Sequence, residues 1–258
     1  MTERQTAKVT LFETFELVVD GALVDLPIGA QRLVAFLAVR GRTGRSRLAG
    51  QLWPDTSERR ALGCLRTGIW RINQTACGLI HSSHGGVELG LSPAVDVQEF
   101  LTRARAILDW EQCCRIDEHP SRVHAAHAPR LAATARPAAE LDELVLPEGE
   151  LLPDWDDEWL AEERERLHQL RLHVLEATAQ MFTRMGSYGL ALEAGLAALR
   201  ADALRESAHR TVISIHVAEG NLAEAQRAYE HCSRTMREEL GIEPAPSTRS
   251  LLGVQERR

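Results

Sequence analysis

The chain has 258 residues, of which 44% are hydrophobic and 26% charged, and its formal net charge is −7. That length and balance support two ordinary domains with real cores and exclude a disordered chain. No apolar run approaches the roughly 18 residues of a membrane span, and the start, MTERQTAKVT, has no hydrophobic signal region, so a cytoplasmic protein without membrane contact is expected.

Charge is unevenly spread. Residues 1–110 carry 13 basic and 11 acidic side chains, net +2, whereas residues 111–258 carry 17 and 26, net −9. Between 40 and 75 there are eight arginines against Asp55 and Glu58, net +6. A local basic footprint on an acidic chain is the pattern of a DNA-binding module joined to an acidic partner-binding module. Of the 30 basic residues only Lys8 is lysine, so arginine abundance by itself says little and arginine placement says more.

In chain order, the first segment alternates through Phe15, Leu17 and Val19, turns at Asp20-Gly21, and resumes at Leu23 and Leu26, a hairpin within an N-terminal antiparallel sheet. AQRLVAFLAVR reads as a first helix, with Leu33, Phe36, Leu37 and Arg40 at helical spacing and Gly41 as its stop. A short second helix, RLAGQLW, is expected to be capped by Ser46 and to end before Pro54. Asp55, Thr56 or Ser57 then caps a third helix over about 58–77.

That third helix contains RRALGCLRTGIWRINQ. Leu62, Leu65, Ile69, Ile72 and Ala76 form its apolar stripe, while Arg60, Gly63, Cys64, Thr67, Arg71 and Gln74 lie opposite, flanked by Arg59, Arg66 and Trp70. A charged helix face is usually solvated surface, but this one is cationic, rich in hydrogen-bond donors, and follows a tight Pro-containing turn as in a helix-turn-helix. LIHSS and VELGL around Gly85-Gly86 read as a closing hairpin. Sheet, three helices and hairpin make a winged helix, whose third helix would enter the major groove.

Beyond residue 96 strand signals give way to helical periodicity. Residues 111–150 mix Pro, Ala, His and Arg without a clean period and read as a mobile insert or linker. The five cysteines, Cys64, Cys77, Cys113, Cys114 and Cys232, form no CxxC pair, and Cys113 and Cys114 with His119, His124 and His127 fit no standard metal spacing, so neither a disulfide framework nor a metal site is expected. Further on, Gly186 and Gly220 lie 34 residues apart, with Ala191 and Ala225 at the same offset and Gly195 and Tyr229 four residues later. Thirty-four is the tetratricopeptide period, although the proline expected at the end of the second helix is Ala203 in one repeat and Arg237 in the other. The fold class is thus mainly α: a winged helix over 1–95, a connecting helix and variable insert over 96–150, and a tetratricopeptide-like helical domain over 151–258.

Two motifs in this order resemble a known family. The stretches QRLVAFLAVR, RSRLAGQLWPD and RRALGCLRTGIWRINQ resemble the response-regulator-type winged helix of the antibiotic regulatory protein (SARP) transcriptional activators. LLPDWDDEWLAEERERLHQLRLHVLEA, with EELGIEPAPSTRSLL further on, resembles their bacterial transcriptional activator domain, so that the match covers roughly 9–110 and 150–252. The resemblance implies a sequence-specific activator that binds direct repeats in double-stranded DNA near promoters as a homodimer, contacts RNA polymerase holoenzyme, and switches on an antibiotic biosynthetic cluster in the nucleoid. Larger members add an ATPase module; this chain has no GxxxxGK[ST], which implies a short, ATP-independent member without a cofactor.

Matched to the family's recognition helix, LRTGIWR places Arg66, Thr67, Trp70 and Arg71 toward DNA. Thr67, Arg71 and Gln74 are assigned to base edges, and Arg59, Arg60 and Arg66 to phosphates, helped by Arg42, Arg45 and Arg47, with His81 and His84 of the wing as backbone contacts. Gly63 and Gly68 inside that helix each cost about 1 kcal/mol relative to alanine. Among other classes, DWDDEW (154–159) clusters acids that invite a glycosidase reading, but Asp157 and Glu158 at a helix start are better explained as capping charge, so no enzyme is expected. The rival is an interaction scaffold with a degenerate winged helix that does not bind DNA.

Overall fold

In the computed structural model, residues 6–117 and 149–253 are described; the 111–150 insert and the histidines at 119, 124 and 127 lie wholly or largely outside the described residues. The described part divides into two units, 6–103 with 149–166, and 104–117 with 167–253.

The first unit opens on strands β1 (Ala7–Thr10), β2 (Glu16–Val19) and β3 (Ala22–Leu23). Asp20 and Gly21 both have positive φ, 50° and 79°, the geometry that a two-residue hairpin turn with right-handed strand twist requires. The sheet order is β3-β2-β1-β6, with β6 (Ala94–Val95) parallel to β1 and the other pairs antiparallel. The parallel strand was not expected, because two residues carry no alternation to read. Asp96 fixes the junction: its carboxylate accepts from the backbone N–H of Leu11 at 2.7 Å and of Phe12 at 2.9 Å.

Three helices follow, α1 (Ile28–Arg40), α2 (Arg45–Leu52) and α3 (Glu58–Thr75). Helix α1 is buried continuously from Leu33 to Val39, which is the behaviour of an all-round apolar helix and not of an amphipathic surface one. The N-cap of α2 is Gly44, not Ser46: the backbone is extended there, Ser46 sits within the first turn, and no side chain caps the end. Strands β4 (Ile80–Ser83) and β5 (Gly86–Leu89) form the wing, extended by a bridge between Thr43 and Val87. This is a winged helix.

What covers the outer side of α1 is residues 149–166. Leu151 bridges Phe12, the Leu152 N–H donates to Leu11 O at 3.0 Å, and Glu13 N–H donates to Glu150 O at 2.9 Å, so the segment joins the sheet end by backbone bonds. Trp159 meets Phe36 edge-on at 5.0 Å, and Trp155 stacks on Phe15 at 6.0 Å. Asp157 accepts two bonds from Arg32 Nε, at 2.8 and 3.0 Å, and a further one from Arg32 Nη2. Glu163, itself buried, takes Arg40 on one oxygen at 2.6 Å and Arg166 on the other at 2.8 Å. Asp157 therefore serves as a tertiary ion pair with α1, while Glu158 lies in the first turn of the helix it opens, as expected of charge at a helix start.

The second unit contains the later part of α4 (Asp96–Asp117) and of α5 (Glu158–Arg184), then α6 (Tyr188–Ala201), α7 (Glu206–Glu219), α8 (Leu222–Leu240) and the short α9 (Pro246–Ser250). The 34-residue register is realised in helix pairs: Gly186 turns α5 into α6 at φ 73°, and Gly220 turns α7 into α8 at φ 83°. Ala191 and Ala225, at matching positions, are fully buried. A Cβ on Gly195 would lie 3.1 Å from Val212 and 3.3 Å from Ile215, so this glycine lets α6 and α7 approach closely. The EELGIEPAPST ending folds back on α7: Gly241 closes α8 at φ 68°, and the Glu206 carboxylate accepts from Ala245 N–H at 2.8 Å and from the hydroxyl of buried Thr248. No helix among the described residues is long and apolar enough to cross a membrane.

Two outcomes follow from this packing. Asp157→Asn and Arg32→Ala should each lower unfolding stability by about 2 kcal/mol, between the values of surface pairs and fully buried ones, because Asp157 is 7% exposed and Arg32 27%; a double-mutant cycle by urea unfolding reads the coupling. His209, buried with its Nε2–H donating to Ala203 O at 2.9 Å, is held below its ordinary pKa of 6.5, first by desolvation, although the Ala203 bond, Glu206 and Asp202 oppose this and His231 adds to it. The unfolded chain takes up this proton first as pH falls, so the contribution is complete above 6.5 and declines below it until the folded imidazole titrates as well. Melting temperatures between about pH 7.5 and 5.5 should fall, and His209→Gln should flatten the slope.

Candidate nucleic-acid interface

Helix α3 buries one face and presents the other. Ala61, Leu65 and Ile72 are buried within it, with Ala76 just past its end, while Leu62 and Ile69 are half-buried. The apolar centre is thus rotated toward Ala61 relative to the stripe read from spacing. The cause is α1, whose Leu33 lies 3.5 Å from the place where a Cβ on Gly68 would stand. Gly68 marks the close approach of the two helices.

Opposite this core, Arg59, Arg60, Arg66, Thr67, Trp70, Arg71 and Gln74 are all exposed. Trp70 is 62% exposed, so its ring does not seal the sheet and stands outside with the arginines. The Thr67 hydroxyl donates to Gly63 O at 3.1 Å. Arg45, Arg47 and His84 are exposed as well.

The arginines differ by partner. Arg32 and Arg40 on α1 are neutralised by Asp157, Glu162 and Glu163. Among the described residues, Arg42, Arg45, Arg47, Arg59, Arg60, Arg66 and Arg71 make no ion pair. Seven uncompensated guanidinium groups lie along α3 and around the start of α2, as an electrostatic footprint for a polyanion needs.

The wing is fixed to this surface. Arg45 donates to Ser82 Oγ at 2.5 Å and Arg42 to Ser83 Oγ at 3.4 Å, joining the α2 start to β4. Thr43 and Val87 exchange backbone bonds at 2.9 Å in both directions. Arg45, expected as a phosphate contact, is therefore also a brace. Asn73 was missed in the sequence because it sits between apolar positions and looks like ordinary helix surface. Its amide bonds both backbone groups of Ile80, donating to O at 3.0 Å and accepting from N–H at 3.1 Å, as a neighbouring strand would. That bond pair sets the wing's position against the C-terminal end of α3. Among the described residues no group of three His, Cys, Asp or Glu side chains is placed to hold a metal ion.

Residues 108–253 match the family model of the bacterial transcriptional activator domain. The chain is 28% identical over 223 residues to the regulatory protein AfsR of Streptomyces coelicolor, covering 85% of this chain and 21% of that protein, so it spans about a fifth of the relative's length. Its fold is similar to Mycobacterium tuberculosis EmbR, solved in complex with a low-affinity phosphopeptide, with a TM-score of 0.72 at 18% identity over 96% of this chain and 64% of that one.

Asn73→Ala strands two polar groups at Ile80, which is 4% exposed, and should cost about 2 kcal/mol in urea unfolding. Asn73→Asp keeps the acceptor and loses the donor, so it should fall between the alanine variant and wild type.

Proposed function

The chain belongs to the family of the bacterial transcriptional activator domain, as a SARP-type regulator, and from that membership we propose that it is a sequence-specific DNA-binding activator and not an enzyme. The observation that carries the reading is the α3 face, where four arginines, Thr67, Trp70 and Gln74 stand exposed beside a braced wing. Helix α3 enters the major groove. Arg71 reads guanine O6 and N7, Gln74 adenine and Thr67 a thymine methyl, while Arg59, Arg60 and Arg66 hold phosphates with Arg45, Arg47 and His84 at the flank.

Half a dozen phosphate contacts give binding that weakens steeply with salt, and pairing two modules on direct repeats raises affinity through effective concentration. A homodimer on DNA is the assembly this favours. The acidic helical unit then offers the surface for RNA polymerase holoenzyme at a promoter. The target is an antibiotic biosynthetic cluster and the place of action the cytoplasmic nucleoid. The division of charge between the two halves of the chain supports a DNA-facing half and a partner-facing half, and the target and place of action follow from the resemblance to the family.

A footprint over the promoters flanking the gene tests the reading. Wild type should protect a direct repeat, and Arg71→Ala should bind roughly 10- to 100-fold more weakly and lose preference at one base position, as expected for a bidentate guanine contact. Absence of protection by folded protein at low salt would instead favour the interaction scaffold.

A further inference from the structure

The strap of residues 149–166, which belongs to the first unit, is drawn together by one side chain. Arg164, in the second turn of α5, turns its guanidinium back along the strap: Nε donates to Leu151 O at 2.8 Å, and Nη2 donates to Trp155 O at 2.8 Å and to Leu152 O. The Glu150 carboxylate lies 3.1 Å from Nε. Three carbonyls and a carboxylate thus share one planar fork, a set of donors that no other side chain supplies.

The strap needs such a hold because the backbone is strained where it joins the sheet. Buried Leu152 has φ 45°, and Glu13 on the facing segment has φ 69°, both in the left-handed region that residues with side chains rarely adopt. Strain of this kind persists only where surrounding contacts over-determine it. Here it yields the backbone bonds from Leu152 to Leu11 and from Glu13 to Glu150, and the burial of Leu151 and Leu152. From the strap the packing runs inward to α3. Trp159 meets Phe36 of α1, and Leu33, one turn earlier on α1, approaches α3 at Gly68.

We propose that Arg164 is a positioning residue for DNA recognition, which sets sequence preference by pinning the strap in its strained form and so holding α1 in place beneath α3. This rests on the DNA-binding reading above and extends it to a residue outside the face that meets DNA: among the described residues, the polar partners of Arg164 all lie in the strap. Attraction to phosphate tolerates a displaced helix, because charge acts over several ångströms, whereas a base-edge hydrogen bond is lost over a fraction of that distance. Arg164 therefore bears on the discrimination between sequences and not on the salt-dependent part of binding. By linkage, a duplex that requires α3 in its proper place also favours the closed strap.

The test uses the full chain with two duplexes of equal length, the direct repeat protected in the footprint and a mixed sequence, and follows affinity by fluorescence anisotropy over a salt series. Arg164→Gln should bind the repeat about tenfold more weakly, as for one lost base contact, and bind the mixed duplex with wild-type affinity and salt slope. Arg164→Lys keeps the charge without the fork and should fall between. Arg103→Gln, at an exposed arginine outside the strap, removes the same charge and should change neither. In the wild-type protein, hydrogen exchange at Glu13 and Leu152 should be slower with saturating repeat than with saturating mixed duplex. An Arg164→Gln variant that binds the repeat as wild type does, or weakens equally on both duplexes, would overturn the positioning role. Exchange at the strap that is the same with either duplex would overturn it too, and needs no variant to fold. Wild type without preference for any repeat would overturn the sequence-specific reading on which the proposal rests.

Discussion

Helix α1 has no solvent face along most of its length, and the first unit is organised by that constraint. A helix buried from Leu33 to Val39 needs apolar cover on opposite sides. Helix α3 supplies one side, with Gly68 allowing Leu33 to come close. Residues 149–166 supply the other through Trp159 on Phe36 and the Asp157 carboxylate on Arg32. Since α3 is positioned against α1, the segment that holds α1 also determines how the basic face of α3 is presented.

The same ion pairs divide the arginines by role. Those on α1 are spent in tertiary contacts with acids brought from more than a hundred residues away in sequence. Those on α3 and at the start of α2 are left without acidic partners and collect on one surface. Asn73 and the Arg42 and Arg45 braces then fix the wing to that surface, so α3, the start of α2 and the wing are joined side by side. In the helical unit the glycines at 186 and 220 and the alanines at 191 and 225 repeat one turn-and-pack solution, and Glu206 secures the chain beyond the last long helix.

Local signals made much of this legible. Asp20-Gly21, Gly41 and the 34-residue glycine spacing each dictate backbone geometry within a few residues, and the structure has a turn or a helix end at each. The α3 wheel separated core from surface because 3.6-residue periodicity is also a local property, although tertiary contact with α1 rotated its centre toward Ala61. Long-range pairing was not legible. Asp157 beside a helix start has the appearance of a cap until Arg32, 125 residues earlier, is seen beside it. Asn73 was opaque for a similar reason, since it acts through a strand it meets only in the fold. Strand β6, two residues long, exists only because β1 is there to pair with it.

Whether the unpaired arginines of α3 form the surface that meets DNA is read most directly by arginine-selective chemical modification, followed by mass spectrometry with and without duplex. Arg59, Arg60, Arg66 and Arg71 should react freely in the protein alone and be protected by DNA, while exposed Arg234 on α8 should react equally in both. Protection at Arg234 with the α3 arginines unchanged would contradict a DNA-facing α3.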